Sequence, residues 1–345
     1  MDKRNIRSRL YALVLLISII VVYKYREANN RQEMHLTGTT MGTIAYNIKY
    51  LDGDDRNFKK EIDSLLIDFN QALSTYIPNS EISLLNRESK VNFGFPYFAQ
   101  VLQASAEVYE KSNGAFDPTI GQLIDAWGFG DGGLIAPDSA QVDSLLNLVG
   151  FDKISFDETG VSTKVKGLKL NFSAVAKGQA IDVVGDYLAA QGIEDYMVEI
   201  GGEVRAKGKN KEDEYWTIGI EVPDENRVGG LFDAVRLKSQ GMATSGNYRN
   251  FKVLEDGRKV AHTIDPKTGY PKMQTLLSAT VFAPNCMYAD AYATACLAMG
   301  LEGARRLILS DESLEAYFIY AGDDGKIQTY ISPGMKDQVV SLDEK

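Results

Sequence analysis

An acid and a hydroxyl share one face of a helix that is otherwise apolar. The stretch MYADAYATACLAMG, residues 287–300, consists mostly of small apolar residues, as in a helix buried inside a protein. Asp290 and Thr294 are four residues apart and therefore lie on the same helical face. Two explanations are open: the pair provides oxygen ligands to a hard metal ion, or Asp290 caps its helix and Thr294 hydrogen-bonds to the preceding turn.

A second segment, at the start of a predicted helix, is a candidate anion-binding site. NFSAVAKGQAID, residues 171–182, leads from an expected strand into a helix and places Lys177 and Gly178 at the helix N-terminus. Free backbone N–H groups attract anions there, although a solvated lysine is the alternative. Similar polar loops recur between most core elements, and their number indicates a functional role: TTMGT, STYIPNSEISLLN, GAFDPTIG, EIGGEVRAKG, ATSGNYRNF and HTIDPKTGYP.

Charge and composition exclude several classes of protein. The chain has 345 residues and a net charge of -10. Residues 1–35 carry seven Lys/Arg and three Asp/Glu, a net of +4, so the remainder carries -14. A body this acidic repels nucleic acid. With two cysteines, Cys286 and Cys296, and two histidines, zinc and iron–sulfur sites are disfavoured. A disulfide between the cysteines is possible but not required by the sequence.

The N-terminus has the order of an export signal. A basic stretch precedes the uncharged apolar run of 14 residues from Leu10 to Tyr23, and a polar segment follows. The run suits a signal peptide better than a comfortable membrane span, but neither an A-x-A cleavage site nor a cysteine for lipid attachment follows it. We therefore expect residues 1–35 to form a basic cytoplasmic segment, an uncleaved signal anchor and a linker, with the body at 36–345 outside the cytoplasmic membrane.

The pattern of elements predicts a mixed α+β fold with largely antiparallel sheets. Helices and hairpin-like strands come in separate blocks rather than in β-α-β alternation. Neither GxGxxG nor GxxxxGK[ST] occurs at a position where it would cradle a nucleotide. Helices are expected at 58–73, 98–114, 138–150, 176–191, 288–299 and 302–310. Strands are expected near 153–157, 161–165, 168–172, 195–200, 203–208, 215–221, 233–238 and 276–283, and as a closing hairpin at 316–331.

Taken together, the polar motifs resemble those of the ApbE family, the FAD:protein FMN transferases. The resemblance covers nearly the whole chain after about residue 36. It runs in order through TMGT, SEIS, GAFDPTIG, AVAKGQAID, GGEVRAKG, TSGNY, H-x-IDP-x-TG-x-P and ADAYATA. No single motif is specific, but the ordered set is. It implies the ApbE-like, T-fold-like architecture for residues 36–345.

The resemblance implies a reaction. FAD binds with Mg2+, and the hydroxyl of a Thr or Ser in a partner protein attacks the FMN-side phosphorus. AMP leaves, and FMN remains attached through a phosphodiester. In this family the metal is held by positions that match Asp290, Thr294 and the backbone carbonyl of Ala174, which favours the metal explanation for the Asp–Thr pair.

Other residues are assigned to the flavin by the same resemblance. Tyr76 and Phe116 are expected to pack on aromatic rings of FAD, and Lys177 to offset charge on the pyrophosphate. His262, with Asp290, is the catalytic candidate, through a phosphate contact or proton transfer. The family often has an acid where this chain has Asn171, so hydrogen bonding to adenine or ribose is expected there but not a role as a base. The full FAD-binding set is Met41, Tyr76, Ala115, Phe116, Asp117, Asn171, Lys177 and Ile264.

Two further activities stay open, and the acceptor is not named by the sequence. The same site would serve a hydrolase that splits FAD into FMN and AMP, and a flavin-binding protein without turnover is a third possibility. The resemblance implies exported or membrane acceptors, such as subunits of an electron-transport complex or FMN-binding domain proteins.

Overall fold

An eight-stranded antiparallel sheet runs through the middle of the molecule. The computed structural model describes residues 11–22, 31–130, 136–223, 230–246, 251–253, 259–272 and 274–342. The central sheet has the order β1-β2-β6-β7-β10-β13-β14-β15. Its strands are β1 (Gln32–Thr40), β2 (Ile44–Asp52), β6 (Tyr196–Ile200), β7 (Glu203–Lys207), β10 (Gln240–Gly246), β13 (Leu276–Ala283), β14 (Glu315–Ala321) and β15 (Ile327–Ile331).

Three smaller antiparallel sheets accompany it. One has the order β16-β9-β8, from β16 (Val339–Ser341), β9 (Leu231–Leu237) and β8 (Trp216–Glu221). Another has the order β3-β5-β4, from β3 (Lys90–Asn92), β5 (Gly160–Thr163) and β4 (Ile154–Phe156). The third pairs β11 (Phe251–Val253) with β12 (Lys259–Ala261). The expected mixed α+β fold with largely antiparallel sheets is confirmed.

Nine helices occur in the described ranges. The first, α1, covers residues 11–22, and its apolar side chains are exposed, from 49% at Ile20 to 73% at Tyr11. Across the parts of the chain that the structure describes, we find no helix with the length and apolarity needed to cross a membrane. The others are α2 (Lys59–Leu73), α3 (Glu81–Glu88), α4 (Tyr97–Lys111), α5 (Gly121–Ala126), α6 (Ser139–Leu146), α7 (Ala176–Ala190), α8 (Cys286–Met299) and α9 (Leu301–Leu309).

The two faces of the central sheet are covered differently. Helices α2, α4, α7 and α8 pack on one face and bury the large core that contains Ile48, Val198 and Val281. The β16-β9-β8 sheet packs on the other, where Trp216 and Val235 meet Met242 of β10. A third cluster lies beside these layers and joins α5 and α6 to residues 260–264.

Two segments have a different structure from the one expected, and β1, β3, β11, β12, β16 and α5 were not expected from the sequence. The strand expected near 168–172 is an extended loop, although Leu168, Leu170 and Phe172 are buried in alternation, as in a strand. Its backbone bonds elsewhere: Leu170 N–H donates to the Asn86 side chain at 2.8 Å, and Lys169 C=O accepts from the Gly121 N–H at 3.0 Å. Conversely, ATSGNYRNF (residues 243–251) was expected to be a loop because of its polar side chains and turn formers, yet its first four residues belong to β10, a central strand between β7 and β13.

Gly241 explains why this strand carries so little side chain. A Cβ added there would lie 2.4 Å from the backbone carbon of Asn285 and the nitrogen of Cys286. The start of α8 therefore lies directly on the β10 backbone, which only glycine permits. The composition that weakens the strand signal in the sequence is required by this close helix–strand contact.

Candidate functional site

A cavity of about 670 Å³ opens between α7, α8, the β6–β7 turn and residues 262–266. That volume lies within the usual range of small-molecule pockets. Ten of the twelve residues that the sequence analysis selects line it: Ala115, Phe116, Asp117, Asn171, Ala174, Lys177, His262, Ile264, Asp290 and Thr294. The lining thus joins motifs from four distant stretches of the chain.

Asp290 and Thr294 project from the second and third turns of α8 into this cavity. The helix begins at Cys286, two residues earlier than expected, and its N-cap is Asn285, whose side chain accepts from the Tyr288 N–H at 3.0 Å. Asp290 is therefore not the cap. Its Oδ2 accepts from the Gly178 N–H of α7 at 3.1 Å, and Thr294 Oγ1 lies 3.1 Å from Ser245 Oγ of β10. Neither contact is within α8, so the alternative in which both groups satisfy their own helix is wrong.

The oxygen donors fit a magnesium ion. Asp290, Thr294 and Ala174 line the same cavity and offer a carboxylate, a hydroxyl and a carbonyl, all hard oxygens. In the described parts of the chain, no three His, Cys, Asp or Glu side chains are grouped so that they could hold a metal by themselves. Mg2+ suits such a sparse set because it keeps water and substrate phosphate among its ligands.

Lys177 is the only lysine or arginine among the described lining residues, and it forms an ion pair. Its ammonium contacts the buried carboxylate of Glu203 and donates to the Gly201 carbonyl at 3.2 Å. Burial lowers the pKa of Lys177, but Glu203 and Asp290 raise it further, so the net pKa lies above the ordinary value. Lys177 is thus a partly buried, charged residue and not the solvated lysine of the alternative interpretation.

Burial shifts the pKa values of the two nearby acids, Glu203 and Asp290, in the opposite direction. It raises the pKa of Glu203 and that of Asp290, while Lys177 lowers both in part. Glu203 is 5% exposed and Asp290 is 4% exposed. One ammonium cannot neutralise two ionised carboxylates, so the raised pKa values favour the uptake of a proton or of a second cation beside them.

A tight turn places Glu203 at the cavity. Gly201 and Gly202 join β6 to β7 with φ of 59° and 99°, a left-handed combination that suits glycine in a two-residue hairpin. A Cβ on Gly201 would lie 3.3 Å from Cδ of Lys177, so the lysine stem passes close to the turn. The sequence analysis selected the polar segment EIGGEVRAKG that contains this turn, but not the glutamate that follows the two glycines.

Asn171 shapes the loop that contains Ala174. Its Oδ1 accepts from the Ser173 N–H at 2.9 Å, and its own N–H donates to the Pro118 carbonyl at 2.8 Å. An aspartate oxygen would make the same turn. The asparagine in this chain therefore keeps the loop geometry that an acid would give.

Asp117 has a comparable local role beside Phe116. Its Oδ1 accepts from the N–H of Thr119 at 2.8 Å and from its hydroxyl at 2.6 Å. Burial raises the pKa of Asp117, and the Thr119 hydrogen bonds lower it in part. Phe116 and Ile264 are each 3% exposed, so a ligand could contact only a small part of either apolar side chain.

Met41 and Tyr76 lie outside the described cavity lining. Met41 has φ of 49° in the β1–β2 turn and packs partly on the main core. Tyr76 is 73% exposed before α3. Their assignment to the flavin therefore stays a prediction.

Several lining residues were not selected from the sequence. Ser245 belongs to the ATSGNY motif but was not singled out, and Glu203 follows the Gly-Gly turn. Both are adjacent to turn-forming residues, and their segments were interpreted as turns, so their side chains were not considered as site candidates. Asn47, Glu199, Met197, Met242, Thr217 and Ile218 also line the cavity, and ordinary strand patterning gave no signal for them.

Gly178 fixes the approach of α7 to α8. A Cβ there would lie 2.3 Å from the Cys286 carbonyl oxygen and 2.9 Å from Cβ of Asp290. We expect Gly178→Ala to lower the free energy of unfolding by about 1–3 kcal/mol, because a buried contact becomes overpacked. Urea denaturation would measure this. Gly53→Ala, with open space around the added Cβ, is the matched control, and equal stability of the two variants would contradict the close contact.

A family model, curated relatives and solved structures all match most of the length of this chain. The model of the ApbE family matches residues 40–318. The FAD:protein FMN transferase of Vibrio cholerae serotype O1 is 36% identical over 316 residues, 88% of this chain and 92% of that protein. That of Haemophilus influenzae is 34% identical over 336 residues, 93% of this chain and 95% of that protein. Among solved structures, the flavin transferase ApbE from Vibrio cholerae has a TM-score of 0.80 and 33% identity, covering 89% of this chain and 99% of that one. The apo form of Pseudomonas stutzeri flavinyl transferase ApbE has a TM-score of 0.78 and 30% identity, covering 89% and 97%.

Proposed function

Since the chain belongs to the ApbE family, we propose that it transfers the FMN part of FAD to a Thr or Ser hydroxyl of an acceptor protein. The observation that carries this proposal is the meeting of Asp290, Thr294, Ala174 and Lys177 on one cavity. Oxygen ligands for a divalent cation and a charged ammonium are what a pyrophosphate requires.

The proposed reaction exchanges one phosphorus–oxygen bond for another. The acceptor hydroxyl oxygen forms a bond to the FMN-side phosphorus, and the bond from that phosphorus to the bridging oxygen breaks. AMP leaves with the electron pair of that bond. The hydroxyl loses its proton, so the products are a phosphodiester-linked flavoprotein and AMP.

Residues of this chain divide the work between charge and positioning. Asp290, Thr294 and the Ala174 carbonyl would hold Mg2+, which supplies neutralisation of phosphate charge when bound. Lys177 lies beside them at the cavity wall and adds a second positive charge toward the pyrophosphate. His262 lines the same cavity, and we assign to it the acceptance of the hydroxyl proton or a hydrogen bond to a phosphate oxygen.

The apolar part of the lining suits the flavin end of FAD. Ala115, Phe116 and Ile264 supply apolar contact area, and Asn171 offers hydrogen bonds at the edge of a ring or ribose. Asp117 supports the Phe116 segment through its bonds to Thr119.

Incubation with FAD, Mg2+ and a candidate acceptor tests the proposal. AMP together with a covalently flavinylated acceptor supports transfer. AMP with free FMN would make the protein a hydrolase, and bound, intact FAD would make it a flavin-binding protein. High-pressure liquid chromatography separates the nucleotides, and mass spectrometry detects FMN on the acceptor.

We further propose that the acceptors are exported or membrane redox proteins and that the catalytic body lies outside the cytoplasmic membrane, held by an N-terminal signal anchor. The basic–apolar–polar order of the N-terminus supports this location. The exposed apolar side chains of α1 also support it, because such a surface calls for an apolar environment.

Removal of residues 1–30 is expected to release the protein from membranes without loss of activity. Helix α1 contributes no described residue to the cavity, and β1 begins only at Gln32. AMP release by the truncated protein should stay within about twofold of the full chain. Fractionation of cells that express each form is the measurement. An insoluble or inactive truncated protein, or a full-length protein in the soluble fraction, would contradict this division of the chain.

A further inference from the structure

Asp182 lies outside the cavity lining and holds the first turn of α8. Its carboxylate is buried, and its two oxygens accept from two successive backbone N–H groups: Oδ1 from Cys286 at 3.0 Å and Oδ2 from Met287 at 2.8 Å. These donors have no acceptor within a helix at its start. Because Asp182 belongs to α7, the contact joins α7 to the helix that carries Asp290 and Thr294.

Arg205 extends this contact to the central sheet. Its Nη1 donates to the Asp182 carbonyl at 3.2 Å and to the Asp182 carboxylate at 3.1 Å. Arg205 belongs to β7, two residues after Glu203. Asp182 therefore connects α7 both to α8, which carries Asp290, and to β7, which carries Glu203.

The surrounding packing leaves little room for α8 to shift. Gly178 of α7 and Gly241 of β10 both lie so close to the start of α8 that a Cβ on either would overlap its backbone. Asp290 follows Cys286 by one helical turn, so a displacement of the first turn would carry its carboxylate along.

Asp182 is charged at pH 8 despite its burial. Burial raises the pKa of Asp182 to about 6, although Arg205 and the two N–H groups lower it in part. The carboxylate is thus ionised at pH 8, where its negative charge also suits the positive end of α8.

We propose that Asp182 is a positioning residue that sets the metal affinity of the cavity by fixing the start of α8, and with it the Asp290 carboxylate, against α7 and β7. The proposal rests on the proposed function, since it takes Asp290 as the metal ligand. Partners that orient a ligand commonly change metal affinity by about 10- to 100-fold when they are removed. A residue that only stabilised the fold would leave the affinity of the folded protein unchanged.

Direct Mn2+ binding tests this proposal without FAD, an acceptor or turnover. The signal of free Mn2+ in electron paramagnetic resonance would be followed at pH 8 with the full-length protein in detergent, well below the unfolding temperature. Asp182→Asn keeps the shape of the side chain but replaces one acceptor oxygen by an NH2 group. One of the two helix N–H groups then lies opposite another donor and loses its hydrogen bond. We expect its Mn2+ affinity to fall by about tenfold or more.

Asp186→Asn is the matched control. Asp186 lies one turn further along α7 and also pairs with Arg205, at 2.8 Å, but it is 71% exposed and no bond to α8 is found for it among the described contacts. Its replacement should change Mn2+ affinity by less than about twofold. Equal affinities of the wild type and the Asp182 variant would overturn the proposal, as would a wild type that binds no Mn2+. A failure of flavin transfer alone would overturn only the proposed function.

A second variant keeps the test decisive if Asp182→Asn fails to fold. Arg205→Gln leaves the two N–H bonds to Asp182 in place and removes the charged connection to β7. It should weaken Mn2+ binding by about threefold or more. An unchanged affinity in a folded Arg205 variant would count against the proposed chain of contacts.

Discussion

Replacing Asp290 by asparagine is expected to abolish AMP release from FAD and leave the protein folded. The proposed ligand set of Asp290, Thr294 and the Ala174 carbonyl contains a single carboxylate, so an amide at position 290 removes the charge that binds the ion. A metal supplies several kcal/mol of charge stabilisation, and kcat should therefore fall by at least about 10²- to 10³-fold. Steady-state AMP release over a range of Mg2+ concentrations is the measurement.

The thermal stability of the Asp290→Asn variant should not fall together with its activity. The native carboxylate helps to raise the pKa of Glu203, and burial raises its own pKa above the ordinary value. Ionised Asp290 therefore costs folding free energy without a bound cation. We expect the metal-free variant to have a Tm equal to or above that of the wild type. The difference should shrink as the pH falls from about 6 to 3.8, because wild-type Asp290 then gains its proton in the folded state before the unfolded one.

Thr294→Val is the graded control for this result. It loses a hydroxyl dipole rather than a charge, so its activity should fall less than that of Asp290→Asn. Wild-type, Mg-dependent turnover in the Asp290 variant would refute the metal assignment. A large loss of Tm would instead show that Asp290 acts mainly on the fold.

Lys177→Met is expected to be both inactive and strongly destabilised. The ammonium pairs with Glu203, and its charge also acts on Asp290, so its removal leaves two buried carboxylates without a cation. Breaking a buried ion pair from one side costs about 3–5 kcal/mol. Urea denaturation of the metal-free protein would measure this loss.

The double variant Lys177→Met/Glu203→Gln separates the two roles of the lysine. Removing the Glu203 carboxylate should recover much of the lost stability, since the two substituted positions then carry no charge and only Asp290 is left without a cation. Activity should stay at least about 100-fold below wild type, because the charge directed at the pyrophosphate is still absent. Recovery of activity together with stability would mean that Lys177 only neutralises Glu203 and does not act on the substrate.

The sequence predicted the elements whose side chains repeat with the period of their structure. The helix at 59–73 buries Ile62, Leu66, Phe69 and Leu73 at helical spacing, and the acid and hydroxyl on α8 were recognised because they interrupt such a pattern. Motif resemblance then added residues that periodicity could not connect, since the cavity lining comes from segments far apart in the chain.

The remaining features depend on contacts between distant segments. Gly241 and Gly178 mark places where backbones touch, but in the sequence they resemble ordinary loop and helix glycines. The pairing of Lys177 with Glu203 also requires that the start of α7 lie next to the β6–β7 turn. No local sequence pattern indicates this contact. Strand β10 was missed for the same reason, because the helix above it demands small residues where strand propensity expects large ones.

Covalent flavin on the host's proteins tests the central claim most directly. Cells that lack this protein, cells that contain it and cells that contain only the Asp290→Asn variant would be fractionated. Their denatured membrane proteins would then be separated by electrophoresis and viewed under ultraviolet light. We predict fluorescent flavoprotein bands only with the wild-type protein, since covalently attached FMN survives denaturation. Bands that persist in its absence, or that return with the Asp290→Asn variant, would contradict the account of this cavity as the site of flavin transfer.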